Sequence, residues 1–216
     1  MAGPRALEMG IMYHIYHRGN NREPIFFEKK NYLYFLHLYV KYIEPIAYTF
    51  AYCLMNNHLH LMIRTKTEAE QEAYFLDQKT SEALESSEVK VEVWKPRSPS
   101  QQFSNLFNSY AKAMNKTYGR TGSLFENKFG RKVITSERYY HNLIIYIHRN
   151  PQLHGFVDDF RDWPWSSYGA IVSDQETRVQ KTAVLEWFDN TNEFSHSHSR
   201  EIDETNIAHL LPDDFL

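Results

Sequence analysis

Two hydrophobic periods alternate along the chain, and the switches between them mark the elements. Ile11–Arg18 (IMYHIYHR) reads as a strand that Gly19-Asn20-Asn21 breaks. Over Asn31–Glu44, the residues Tyr32, Phe35, Leu36, Tyr39, Val40 and Ile43 recur at helical spacing, and Pro45 stops that helix. Ile46–Leu54 and His58–Thr65 read as strands joined around Asn56-Asn57. Asparagine tolerates the positive φ of a tight hairpin, so antiparallel pairing follows. From residue 103 a second helix puts Phe103, Leu106, Phe107, Tyr110, Met114 and Tyr118 on one buried face. Gly119–Gly122 is a turn, and a strand covers part of Lys128–Ile134. Ser136 caps a third helix with the stripe Tyr140, Leu143, Ile144 and Ile147, running to about Arg149 before Pro151 ends it.

The order strand–helix–strand–strand–helix–strand predicts an α+β fold, the ferredoxin-like or RRM-like split βαβ arrangement. It has a central antiparallel sheet with helices packed on one face. The other face would stay free for a flat or grooved ligand. Residues 66–100 read as an acidic insertion, an exposed helix followed by the linker Lys95-Pro96-Arg97-Ser98-Pro99-Ser100. The chain is therefore expected to hold one domain over residues 1–170, with an acidic, partly ordered extension over 171–216. The tail after about 189 is the part expected to be least ordered.

Composition permits this fold: 42% of the 216 residues are hydrophobic and 15% aromatic, enough for a packed core. Cys53 is the only cysteine, so no intramolecular disulfide forms and a reducing compartment is expected. No stretch approaches the ~20 apolar residues of a membrane span. The start of the chain lacks a secretory pattern, which predicts a cytoplasmic protein without a membrane partner. The net charge of −3 hides a segregation. Residues 103–150 carry eight Lys/Arg against two Asp/Glu, whereas residues 151–216 carry four against thirteen. A cationic centre inside an acidic chain is compatible with a phosphate-bearing partner, and equally with ordinary surface solvation.

Chemistry concentrates in two places. In Asn57-His58-Leu59-His60-Leu61, the strand period of two turns His58 and His60 to one face and Leu59 and Leu61 to the other. Imidazoles about 7 Å apart along a strand can converge on one cation if a third ligand joins them. Two partly exposed histidines on a wet sheet face satisfy the same pattern. In Tyr146-Ile147-His148-Arg149-Asn150-Pro151, Tyr146 and Asn150 are helical neighbours four residues apart. A packing tyrosine followed by a capping asparagine would look alike.

Four segments occur in one order: Met55-Asn56-Asn57-His58-Leu59-His60-Leu61, Gly122-Ser123-Leu124-Phe125-Glu126-Asn127-Lys128-Phe129, Tyr146-Ile147-His148-Arg149-Asn150-Pro151 and Trp163-Pro164-Trp165-Ser166-Ser167-Tyr168. The series, from about Tyr13 to Ala170, resembles the single-tyrosine HUH transposases, in particular the REP-associated tyrosine transposases. The resemblance implies cleavage and rejoining of single-stranded, hairpin-associated DNA through a 5′-phosphotyrosine. Tyr146 would be the nucleophile, with His58, His60 and Asn150 holding Mg²⁺ or Mn²⁺. A phenol has an unperturbed pKa near ~10, so attack at neutral pH needs a metal or base nearby. Arg64, Arg120, Lys128, Arg131 and Lys132 are the candidate DNA contacts. Relatives often carry Asn at position 17, so His17 is expected to add an imidazole near the site. Trp163 and Trp165 are read as packing residues or a lid, with base stacking as the alternative.

Two other readings stay open. A zinc hydrolase would use His58 and His60 with a third ligand from His17, His141 or Glu126. A non-catalytic single-strand binding module would use the open sheet alone. Whether the protein acts alone or as a homodimer is open as well.

Overall fold

A computed structural model describes residues 5–85, 94–126 and 128–200. Four strands form one sheet: β1 (Met12–Arg18), β2 (Ala47–Leu54), β3 (His58–Thr65) and β4 (Gly130–Val133). Their spatial order is β2-β3-β1-β4, with every pairing antiparallel. This is the split βαβ order expected from the sequence. The first crossover is helix α1 (Lys29–Tyr42), and the second contains α2 (Glu68–Glu85) and α3 (Pro99–Tyr118). Helix α4 (Glu137–Leu153) follows β4, and α5 (Tyr168–Val172), α6 (Lys181–Trp187) and α7 (Thr191–Ser199) complete the order.

Local chemistry sets the boundaries. Asn31 Oδ1 accepts from the backbone N–H of Glu28, while the Glu28 side chain accepts from that of Asn31, a capping box that starts α1. Ser98 caps α3 ahead of Pro99, and Gly119 closes it with φ 62°. The acidic helix foreseen in the insertion is α2, while residues 86–93 lie outside the described residues.

Alternation divides the core. Tyr13, Ile15, Leu59, Leu61 and Ile63 face α1 and α3, where Phe35, Phe103, Phe107 and Tyr110 close over them. Met12, Cys53 and Met62 face the other way, toward Leu143, Ile144, Tyr146 and Ile147 of α4. The second face is therefore not left open. α4 lies over β2 and β3, because its stripe is as apolar as those of α1 and α3 and has nowhere else to be buried.

Pro151 does not end α4, which continues to Leu153. Proline removes one N–H and crowds the preceding turn, but the next turn is still bonded, with His154 N–H donating to Asn150 O at 3.0 Å. Gly155, at φ 69°, supplies the stop. The tail also folds further than its polarity suggests: α7 buries Phe194 and His198, and residues 201–216 lie outside the described residues.

Residues 163–167 run along the outer edge of β2. Leu54 N–H donates to Trp165 O and Ser167 N–H to Tyr52 O, both at 2.9 Å, and Trp163 Nε1–H donates to Leu54 O at 2.9 Å. Trp165 stacks on Tyr32 with ring centres 4.4 Å apart. Beneath this strap lies a buried relay. His198 Nδ1–H donates to Phe194 O (2.7 Å), His148 Nδ1–H donates to His198 Nε2 (2.8 Å), and the Ser167 hydroxyl donates to His148 Nε2 (2.7 Å). The Phe194 carbonyl can only accept, which puts a proton on His198 Nδ1, and burial keeps both imidazoles neutral.

Burial pushes His198 down to about 4, lowers His148, and takes His17 to about 4. These folded values lie below the unfolded ~6.5. Their stabilisation is complete above pH ~6.5 and is lost as pH falls toward 4. Thermal melts should give a level Tm from pH 8 to 7 and a decline below about 6.5, each histidine contributing about 1.4 kcal/mol per pH unit. A Tm unchanged down to pH 5 would contradict the neutral relay.

Candidate active site

The hairpin that carries the histidine pair is held from outside. Gly19 N–H donates to Asn57 O at 2.8 Å, and Ile25 and Phe26 both donate to Asn56 O. From this turn β3 emerges with His58 and His60 buried on the α4 side. Their rings meet edge to face, 5.3 Å between centres. Tyr146 stands edge-on to His60 at 5.4 Å, itself buried. One turn later, Asn150 Oδ1 lies 3.3 Å from His58 Nε2. The tyrosine, the asparagine and both histidines thus meet within one chain.

The hydrogen bonds define what this cluster can hold. Asn57 Nδ2 donates to Arg22 O at 3.2 Å, which turns its Oδ1 toward His58 Nδ1, 2.7 Å away. His58 therefore carries its proton on Nδ1. Burial, then His154, lowers its pKa to about 3, so the ring is neutral and Nε2 presents a lone pair. Asn150 Nδ2 donates to Tyr146 O at 3.3 Å, which leaves Oδ1 facing that lone pair. Two electron-pair donors 3.3 Å apart fit a shared cation better than each other.

His60 is also held neutral, its pKa well below the usual value through burial and then the neighbouring His14. His14 Nε2 lies 2.9 Å from His60 Nδ1, an outer contact that orients the second ring. Among the described residues, no three His, Cys, Asp or Glu side chains gather as a metal cluster. A third ligand to the pair would therefore be the Asn150 amide oxygen.

The register of β1 against β3 brings further residues to this face. His14, Tyr16 and Arg18 lie opposite Met62, His60 and His58, so the same face carries all of them. His17 faces the other way. It packs flat on Phe125 at 4.3 Å and lies 3.1 Å from Glu126 O, so the extra imidazole beside the site is His14 instead. Because α4 runs past Pro151, His154 is also brought close. It stands one turn beyond Asn150, 4.9 Å from His58 between ring centres.

The basic candidates separate. Arg64 makes a two-point pair with Glu70 (2.6 and 3.1 Å) and lies over Tyr48. Arg120 pairs with Glu23 at 2.8 Å. Arg131 turns to the α3 side, over Phe129 and within 3.2 Å of Arg5 O. Lys132 lies opposite His14 on the face that carries His58 and His60, and Lys128 is exposed just before β4. Of the alternative zinc ligands, His17 lies across the sheet. His141 bonds to Glu137 O and Trp187 O, and Glu126 is exposed.

A ferredoxin-like sheet whose His-x-His strand is faced by a tyrosine-bearing helix has the HUH transposase fold. Among solved structures, the chain is similar to a REP-associated tyrosine transposase bound to a REP hairpin. The TM-score is 0.57 at 17% identity, covering 81% of this chain and 87% of that one. At that identity the likeness establishes the fold. No protein-family model matches the chain, and no curated protein matches it.

Nitrogen-15 NMR of the histidine rings should find His58 as the Nδ1–H tautomer at neutral pH. Asn57→Ala should shift the population toward Nε2–H. A wild-type ring protonated on Nε2 would contradict the lone-pair geometry.

Proposed function

We propose that this protein is a metal-dependent transposase or site-specific endonuclease acting on single-stranded, hairpin-associated DNA, with Tyr146 as nucleophile. The observation that carries the reading is the meeting of Tyr146 with a ready-made donor set, His58 Nε2, His60 and Asn150 Oδ1, in one chain. The hairpin bound by the structurally similar transposase supports the choice of substrate. All four of these groups come from one chain, and on this reading the chemistry needs no second copy.

A divalent ion held by His58, His60 and Asn150 would polarise a phosphate oxygen and offset charge in the transition state. Imidazole donors favour Mn²⁺ over Mg²⁺. The Tyr146 oxygen attacks phosphorus as the bond to the 3′-oxygen breaks. The phenolic proton leaves, the 3′-hydroxyl is released, and a 5′-phosphotyrosine remains. Because that ester keeps the phosphodiester energy, rejoining needs no nucleotide cofactor. The Tyr146 oxygen is buried in the described conformation, so attack requires the phenol to turn toward the part of the sheet that α4 does not cover. Arg18, which is opposite His58 and buried, and Lys132 sit on that face beside the proposed phosphate site. Lys128 is a peripheral contact; Arg64, Arg120 and Arg131 are better explained by their protein partners.

Incubation with labelled hairpin DNA and Mn²⁺ should give a denaturation-resistant adduct, mapped by peptide sequencing to Tyr146. The adduct should vanish in Tyr146→Phe and fall at least about tenfold in rate in His58→Ala or Asn150→Ala. Binding without any adduct would favour the non-catalytic module, and an adduct on a different tyrosine would overturn the assignment.

A further inference from the structure

We infer that Tyr16 is a stacking platform for a nucleobase of the single strand, beside the phosphate taken by the histidine site. The inference deepens the proposed function and rests on it for the substrate class. Tyr16 lies directly between His60 on β3 and Gly130 on β4, in the register of both pairings. Its ring centre is 6.3 Å from that of His60 and 5.2 Å from that of His14. α4 covers β2 and β3, and Tyr16 stays partly exposed beside it.

Gly130 shows that the ring position is built. A Cβ placed there would come within 1.9 Å of Tyr16 Cε2, 2.0 Å of Cζ and 2.6 Å of Cδ2. The ring thus occupies the space of the missing side chain and lies against the backbone of β4. Gly130 does not have a positive φ, so backbone conformation does not explain the glycine. Glycine inside a strand weakens it, and commonly marks the close approach of another group. Here that group is the Tyr16 ring.

A nucleobase is the ligand this surface suits. Arg18 follows Tyr16 on the same face and Lys132 lies across from His14, so an aromatic plane sits among cations on a sheet. Single-strand grooves combine these two elements, stacking each base while cations track the backbone. The proximity to His60 is within one nucleotide's reach, so a base stacked on Tyr16 would deliver its own phosphate to the histidine pair. Stacking tolerates any base, so this contact would position the strand without selecting its sequence.

The probe is a hairpin DNA with a single-stranded flank, scanned one position at a time with 2-aminopurine. Wild-type protein should quench the fluorophore strongly at one flank position next to the cleaved phosphate. Gly130→Ala, which displaces the ring, should relieve that quenching. Tyr16→Leu should bind the flank roughly five- to a hundredfold more weakly, and Tyr16→Phe should restore binding. An abasic site at the quenched position should erase the Leu–Phe difference. Uniform quenching along the flank in wild-type protein, or equal binding by Leu and Phe variants with native circular dichroism, would overturn the platform. An adduct formed with no such position sinks the platform alone. Position-specific quenching without any adduct sinks the catalytic reading and leaves the platform standing.

Discussion

The packing of α4 against β3 takes two imidazoles out of water. At that depth a histidine is stable only when neutral, with its ring nitrogens matched to partners. Asn57 and Asn150 flank His58, and His14 meets His60. Burial thereby does chemical work. It lowers the histidine pKa values so that lone pairs are present at neutral pH, and the two amides beside His58 fix which of its nitrogens carries one. A wet sheet face, the bland alternative for a His-x-His strand, would impose neither condition.

Holding α4 in that place is the task of the chain beyond it. His148 shares the helix turn between Tyr146 and Asn150, and its bonds reach both the strap at Ser167 and α7 at His198. Three of the four segments that carry the family resemblance therefore meet physically. The hairpin supplies the histidines, the helix supplies the tyrosine and asparagine, and the tryptophan-serine segment fastens the helix to the sheet. The Gly122–Phe129 segment is tied to the end of β1, with Asn20 N–H donating to Leu124 O and Glu126 N–H donating to Arg18 O, and the adjoining Gly19 N–H donates to Asn57 O of the hairpin.

Most of the sheet was legible because its signals are local. Period two in Leu59, Leu61 and Ile63 gave the core face of β3, and the asparagine turn gave the hairpin. The coverage of the second face was not legible, because which side a helix crosses to depends on chain path rather than on its own stripe. Pro151 misled for a related reason. The preference of proline for helix ends is statistical, and in the last turn a single lost bond is tolerated while Gly155 decides the stop. His14, Tyr16 and Arg18 were missed because their importance lies in cross-strand register with His58 and His60, which alternation alone does not specify. Charge was the poorest guide. Arg64 and Arg120 look like surface cations in the sequence, yet each is met by a carboxylate brought close by folding.

The strap along β2 also limits how copies of this chain can associate. By occupying hydrogen-bonding groups of Tyr52 and Leu54, residues 163–167 deny that stretch to an incoming strand. The opposite margin of the sheet is the four-residue β4, too brief a template for continuous lateral growth. The sheet is in this way kept from polymerising through its own margins.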